Sequence, residues 1–322
     1  MTSARQPRSA SAGCVVVTGA TGFLGRRLCV YFQSRGWRVR GLVRDVLRHP
    51  FGEGSVEARL CDLPDRVDAS AFESVDAVIH CAYASREASL REARRVNELG
   101  TERVYALSRA AGVRQFVFIS STSAHDEALS YYGRSKLEAE RAVLAAKDRL
   151  HVTVVRPPLI YGPRDRETLA FFTSVRNGVL PMTGDGTNTL SVVYVEDCAA
   201  AVVRVLHAQG VPSGRSYFVD DGSVYVWRDA LKEIETALGR RALVRFGMPL
   251  AVVKVAAAAT QLWGKMTNTA QMLTLDKVNE LTQPHWVCSG AGARRELGWE
   301  PRVQWAQGVQ EAVKWYRAEG WL

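Results

Sequence analysis

The chain has 322 residues, 47% hydrophobic and 23% charged, enough for one large core or two lobes and too long for a disulfide- or metal-stapled mini-protein. Its formal net charge is +9, yet basic residues interleave with acids, as in Arg91-Glu92-Ala93-Arg94-Arg95, the pattern of a solvated helix face and not of a nucleic-acid groove. Six scattered cysteines (Cys14, Cys29, Cys61, Cys81, Cys198, Cys288) form no CxxC pair, which points away from a metal site and towards a reducing, cytoplasmic compartment.

Residues 1–12 are small, polar and basic, lack the apolar run of a secretion signal, and read as a disordered tail. The first structured element is Val15-Val16-Val17-Thr18, whose β-branched side chains suit a strand covered on both faces. It breaks into Gly19-Ala20-Thr21-Gly22-Phe23-Leu24-Gly25, and residues 26–35 read as the helix that follows. Gly19 permits a tight turn, Gly22 admits a pyrophosphate to the backbone, and Gly25 lets helix and strand close together. The amides and partial positive charge of the helix start complete a phosphate cradle from Gly19, Thr21, Gly22, Phe23, Leu24 and Gly25.

The second strand closes with Val43-Arg44-Asp45. In a dinucleotide fold an acid near this point binds the ribose 2′-hydroxyl, whereas an arginine accommodates a 2′-phosphate. Arg44 comes first, so NADP(H) is the preferred cofactor and NAD(H) the alternative. A third strand, 56–60, runs into Cys61-Asp62-Leu63, where Asp62 stands to accept a hydrogen bond from adenine. Helix capping is the other reading of that carboxylate, and Asp65 or Asp68 serves it equally well. A fourth strand, 77–80, enters Cys81-Ala82-Tyr83, small enough at Cys81 and Ala82 for a cofactor to lie against the backbone, with His80 read as a packed residue.

A helix then carries Asn97 inward, and a fifth strand, 116–119, discharges into Ser120-Ser121-Thr122-Ser123. Hydroxyls at the carboxyl edge of an open α/β sheet lie where such sheets bind ligands. The competing reading is a turn rich in local side-chain bonds. Tyr132 and Lys136 follow, four apart, so one helix face carries both, one turn separated. A free tyrosine, with a pKa near ~10, is a poor acid or base at neutral pH. A lysine cation beside it stabilises the phenolate and brings it into working range, and the same lysine can hold a nicotinamide ribose.

In this order the motifs resemble the extended short-chain dehydrogenase/reductase family, which contains NAD-dependent epimerase/dehydratases, dihydroflavonol-type reductases and 3β-hydroxysteroid dehydrogenases. The resemblance spans nearly the whole chain. It rests on Thr18 to Gly25, Asp62-Leu63, His80-Cys81-Ala82, Asn97, Ser120-Ser121-Thr122, Tyr132-xxx-Lys136 and Arg156-Pro157-Pro158-Leu159-Ile160-Tyr161-Gly162-Pro163-Arg164. It implies that Thr122 holds the substrate oxygen, Tyr132 transfers the proton, Lys136 supports Tyr132 and the ribose, and Pro157, Leu159 and Ile160 line the nicotinamide. It also implies a homodimer, through the helices that flank the tyrosine. One departure stands out: only Ser123 to Tyr131 separate the hydroxyl cluster from Tyr132, where most relatives carry a longer loop. Ser121 or Ser123 could therefore replace Thr122. The valine-tyrosine-glycine common in sugar-nucleotide epimerases gives way to Ala124-His125-Asp126.

Further on, 152–155 reads as a strand, 169–177 as a helix, 190–195 as a strand, 198–207 as a helix with Asp197 as its N-cap, and 216–219 as a strand. From Val226 onward the period is helical and tryptophan-rich, with Trp227, Trp263, Trp286, Trp299 and Trp305 expected mainly in the core. Gln271-Met272-Leu273 and Trp286-Val287-Cys288-Ser289 are candidates for an apolar pocket wall. Arg294 and Arg295 read as a surface helix end. The stretch 250–263 is short for a bilayer span and contains Lys254, so it reads as an interfacial or substrate-lining helix, with peripheral membrane contact left open.

The expected fold class is α/β: a Rossmann-type doubly wound parallel sheet over 13–165, then a mixed part, 166–322, that adds late strands and a smaller substrate lobe. The expected activity is hydride transfer between a nicotinamide and a carbonyl or secondary alcohol of a fairly apolar, sterol-like or polyketide-like molecule. A nucleotide-sugar epimerase or dehydratase with retained NAD is the alternative. A dinucleotide-sensing protein without turnover is the second alternative, disfavoured by the intact Tyr132 and Lys136.

Overall fold

The computed structural model describes residues 13–52, 54–84, 90–248, 253–255, 257–260, 276, 278, 279 and 285–322. The 1–12 tail, Gln271-Met272-Leu273 and half of 250–263, Trp263 included, lie outside these described residues.

The chain opens with β1 (Cys14–Thr18), in which Val15, Val16 and Val17 are completely buried. Valines suit this position because both faces of the strand are covered. Next come α1 (Phe23–Gln33), β2 (Arg38–Val43), β3 (Glu57–Asp62), β4 (Arg66–Val67) and β5 (Ala77–His80). A helical run then passes from α2 (Leu90–Arg94) through a π-helical turn (Arg95–Leu99) into α3 (Gly100–Ala110). It is followed by β6 (Gln115–Ile119), α4 (Tyr131–Ala145), β7 (His151–Arg156) and β8 (Leu159–Tyr161).

The remaining elements are α5 (Leu169–Arg176), β9 (Val179–Thr183), β10 (Thr189–Leu190), β11 (Val192–Tyr194), α6 (Val195–His207), β12 (Arg215–Phe218), β13 (Tyr225–Val226) and α7 (Trp227–Leu238). After them come β14 (Val244–Met248), β15 (His285–Trp286), α8 (Ala291–Leu297) and α9 (Trp305–Ala318).

Eight strands form one sheet in the order β12-β7-β6-β5-β1-β2-β3-β4, parallel except for β4 against β3. The chain leaves β1 for β2 on one side and later returns to β5 on the other. The crevice above the ends of β1 and β5 is thus a topological switch point, where open α/β sheets bind ligands. Leu28, Cys29 and Phe32 of α1 and Val202 and Val205 of α6 bury one face. Val104 and Tyr105 of α3, Ala139 and Val143 of α4, and Phe116 and Phe118 of β6 bury the other. The fold is the expected doubly wound α/β sheet.

A separate apolar core gathers Tyr161, Phe172, Leu180, Leu231, Ile234, Trp305 and Tyr316 among α5, α7, α9 and the small sheets β13-β10-β15, β11-β8 and β14-β9. Trp299 and Trp305 are buried, whereas Trp227 and Trp286 are only partly so.

Several expected boundaries move. Helix α1 begins at Phe23 and not at 26, because extended Gly22 is its N-cap and Phe23 and Leu24 make the first turn. Asp62 is the last residue of β3 and not a residue beyond it. The single strand expected at 190–195 is two, split at Ser191, whose hydroxyl exchanges hydrogen bonds with the Cys288 backbone. Asp197 is no cap: it lies inside α6, and its carboxylate accepts from Arg302 and Val303 N–H, both at 2.9 Å. Residues 244–248 break the helical reading, since Val244–Met248 pairs in parallel with β9 and tertiary pairing overrides local period.

Candidate active site

At the end of β1 the backbone turns at Gly19 (φ +64°), and the Gly22 N–H donates to Gly19 O at 2.9 Å. A Cβ on Gly19 would stand 2.9 Å from the Ala82 backbone, and one on Gly25 only 2.2 Å from Gly19 O. Only hydrogen fits at either place. Among the described residues no side chain caps α1, which leaves the first-turn amides of Phe23, Leu24 and Gly25 open beside exposed Thr21 and Gly22. A pyrophosphate fits this cradle, in charge and in space.

The floor of the crevice is braced from below. Thr18 Oγ1 accepts from Cys81 N–H (3.1 Å) and Ala82 N–H (3.0 Å) and meets His80 Nδ1 at 2.7 Å. His80 Nε2 meets Thr101 Oγ1 at 3.0 Å, and the Thr101 hydroxyl donates to Asn97 O at 2.6 Å. The bonds are mutually satisfied when His80 is neutral with its proton on Nε2. Burial, and then the charge of Lys136, push the His80 pKa down to about 3, which keeps it neutral. His80 is a packed residue, as its strand-end position suggested. Asn97, buried in the π-helical turn, commits its amide to Ala84, accepting from its N–H at 2.7 Å and donating to its carbonyl at 3.3 Å. It fixes the loop that carries Cys81, Ala82 and Tyr83.

The hydroxyl edge divides. Ser121 and Ser123 are buried and bonded to one another, Oγ to Oγ at 3.2 Å and Ser123 N–H to Ser121 Oγ at 3.1 Å, so the local-turn reading describes both. Ser120 Oγ is buried without a partner among the described residues. Thr122 is half-buried, and its N–H donates to Pro157 O at 3.1 Å, which draws the hydroxyl edge and the proline segment together. Pro157 is buried, and Leu159 and Ile160 on β8 are partly exposed.

Helix α4 starts at an N-cap, Ser130, whose hydroxyl accepts from Gly133 N–H at 3.0 Å. The short loop before it lies directly on the helix: a Cβ on Gly133 would be 2.3 Å from Ser123 O. Tyr132 meets the Tyr83 ring edge-on at 5.0 Å, and the Tyr83 hydroxyl bonds Ser135 Oγ at 2.9 Å. Lys136, 5% exposed, donates to Ile119 O at 2.8 Å, with its ammonium 4.7 Å from the Tyr83 ring and 5.2 Å from Phe118. Burial lowers the Lys136 pKa to about 8, against an upward pull from Cys81 and Glu140.

The structure thus brings together the cradle, the 81–83 loop, Ser120, Thr122, Pro157, Tyr132 and Lys136. Arg44 and Asp62 are exposed at the ends of neighbouring β2 and β3, and half-buried Leu63 packs towards Gly100.

A match to the NAD dependent epimerase/dehydratase family covers residues 15–219. The chain belongs to that family, within the extended short-chain dehydrogenase/reductases. It is 36% identical to ceramide reductase of Caulobacter vibrioides, over 96% of each chain. It is 29% identical to 2-alkyl-3-oxoalkanoate reductase of Stenotrophomonas maltophilia, over 92% of this chain and 97% of that one. The structure of dTDP-glucose 4,6-dehydratase from Bacillus anthracis in complex with NAD superposes with a TM-score of 0.71 at 21% identity, covering 96% and 98% of the two chains, and shows the shared fold. The relatives are named reductases and dehydrogenases, and this chain is an enzyme of the same oxidoreductase family. Among the described residues no helix is long and apolar enough to cross a membrane.

Two contacts of α4 escaped the sequence reading. The Asp276 carboxylate accepts from the N–H groups of Tyr131 and, at 3.4 Å, Tyr132. No local signal marks a carboxylate so far along the chain as their partner. Glu140 is paired with Arg156; its spacing of four from Lys136 puts it on that helix face, but no local signal names Arg156 as its partner.

Proposed function

We propose that this enzyme is an NADPH-dependent reductase of a ketone carried by a long-alkyl, lipid-like molecule. The supporting observation is the end-to-end likeness to two reductases, at 36% and 29% identity, whose named substrates both carry alkyl chains. The arrangement of Thr122, Tyr132 and Lys136 agrees with this reading. When bound, the dinucleotide supplies hydride from C4 of the nicotinamide. Thr122, whose hydroxyl no described residue engages, orients the carbonyl oxygen by a bond that strengthens as charge develops there. Tyr132 gives its proton to that oxygen, and Lys136 stabilises the phenolate left behind. Pro157, Leu159 and Ile160 form the apolar wall beside the ring.

Arg44 supports the NADPH preference. Its guanidinium is exposed at the tip of β2 with no partner among the described residues, whereas Asp45 already accepts from Leu47 N–H at 2.9 Å. The carboxyl-terminal core around Trp305, with partly buried Phe171, Met182, Trp227 and Trp286 at its margin, suits the substrate lobe. A homodimer through the exposed faces of α3 and α4 completes the reading.

The test is to purify the protein, supply NADPH or NADH, and follow nucleotide oxidation with long-chain 3-oxo lipids and, separately, with nucleotide sugars. Oxidation of NADPH that requires the lipid ketone is expected. Turnover of a nucleotide sugar alone, with dinucleotide that resists removal, would replace this reading with an epimerase or dehydratase. Dinucleotide binding with no turnover of any carbonyl would leave a sensing role.

A further inference from the structure

Tyr132, Lys136 and Glu140 recur every four residues and form a file along one face of α4. Glu140 is only 2% exposed. Arg156 grips it with two bonds, Nε to Oε2 at 3.0 Å and a second from Nη2 to Oε1. The Arg156 guanidinium also rests against the Phe218 ring at 5.6 Å. Arg156 is the last residue of β7 and directly precedes Pro157. The pair therefore ties the helix that presents Tyr132 to the strand end that presents the proline wall, while Lys136 ties the same helix to β6 through Ile119 O.

Among the described residues the charges around Lys136 are few, and from the π-helical turn and α3 it borders the uncharged Asn97 and Thr101. From the end of β5 it faces His80, which is neutral, the Cys81 thiol, pushed up to about 12 by burial, and the Tyr83 phenol, also raised chiefly by burial. From β6 it faces a carbonyl and the Phe118 ring. On its own helix it has Tyr132 before it and Glu140 after it. Asp276 lies at the start of the helix, about one turn before Lys136, where its carboxylate is engaged by the amides of Tyr131 and Tyr132. Glu140 is the carboxylate that shares the helix face of Lys136, one turn on, and its ion-pair partner is Arg156.

We propose that the Glu140–Arg156 pair is a positioning and charge-setting device for Lys136: Glu140 holds the lysine in its cationic form, and Arg156 tempers that effect while locking α4 to β7. The physical reason is the dry surroundings. A buried ammonium sheds its proton readily, and a nearby carboxylate opposes the loss. If that carboxylate disappears, unpaired Arg156 becomes a like charge pressing on the lysine. If Arg156 disappears, the full charge of Glu140 acts on it. The two single changes must therefore move Lys136 in opposite directions, whereas a purely structural tie would be weakened alike by either.

The proposal rests on Lys136 as the support of Tyr132, but its test needs no substrate. In the full chain labelled with [15N]lysine, the Nζ signal of Lys136 is assigned among seven lysines with Lys136→Arg and titrated against pH. Glu140→Gln is expected to lower the titration midpoint by about one pH unit, Arg156→Gln to raise it by a similar amount, and the double variant to return it near the original. Glu140→Asp and Arg156→Lys provide the same comparison with smaller shifts if a glutamine variant folds poorly. Midpoints that move in the same direction, or that stay within about 0.3 unit in every folded variant, would overturn the proposal. Failure of the lipid-ketone assay with opposite shifts intact would condemn the substrate reading alone.

Discussion

The amino-terminal side of the crevice and the carboxyl-terminal core achieve rigidity by different physics. Around β1, β5 and α4, order comes from directed bonds among small groups: Thr18, His80, Thr101 and Asn97 form one connected network, and glycines at 19, 25 and 133 stand where a Cβ would strike backbone. Around Trp305 it comes from ring packing, with Tyr161 at 4.5 Å and Tyr225 at 6.3 Å from Trp305, and Tyr316 against Phe172 and Trp321. The first region holds atoms at fixed points, which is what chemistry requires. The second supplies buried area, which tolerates changes in shape more readily than changes in volume.

Substitutions on the two sides should therefore fail differently. The largest effect is expected at Tyr132: Tyr132→Phe removes the transferable proton and should lower kcat/KM for a lipid ketone by roughly 10²- to 10⁴-fold. Dinucleotide affinity and melting temperature should stay close to those of the parent. A parallel collapse of Tm would show that the two regions are not separable. The mirror-image experiment is Trp305→Ala, which opens the aromatic core and should cost about 3–5 kcal/mol of stability. Read by denaturant unfolding, that loss should come with nearly unchanged NADPH affinity in the protein that remains folded.

A smaller effect follows from Lys136. Its ammonium is charged below a pKa of about 8 and neutral above it, so its support of Tyr132 is lost as pH rises through that value. Activity should fall about tenfold per pH unit on the alkaline side. The sign for stability is opposite. Burial depresses the value from 10.5 in the unfolded chain, so the unfolded state holds more protons between about 8 and 10.5, and stability rises with pH across that window. Stability that falls across this window, with the contributions of other groups subtracted by a Lys136→Met control, would contradict the burial assigned to this lysine. The smallest change is at the exposed edge: Arg44→Ala should weaken NADPH binding by roughly tenfold and leave NADH nearly unaffected, as measured by calorimetry.

The same contrast explains what could be read early. The strand runs, the glycine spacing and the Tyr132–Lys136 interval are short-range patterns, and each follows from sterics or helix period within a few residues. The edges were less legible. Helix α1 starts three residues before its polar face suggests, because Gly22 can cap it, and β14 looks helical by local period yet pairs with β9. The hydroxyl cluster read as one group of four, but the fold spends Ser121 and Ser123 on each other and leaves Ser120 and Thr122 at the crevice.

By itself, then, the sequence determined the doubly wound sheet, the glycine turn after β1 and the shared helix face of Tyr132 and Lys136, since these are set by side-chain size and spacing along each element. Tertiary structure alone decided that Asp197 holds the Arg302–Val303 backbone, that Asp276 meets the first amides of α4, and that Arg156 answers Glu140. Each of these is a charge or donor whose partner lies 16 to 145 residues away. No periodic signal links such pairs; only the closing of the sheet and the docking of the later helices bring them within bonding distance, where burial makes each contact count.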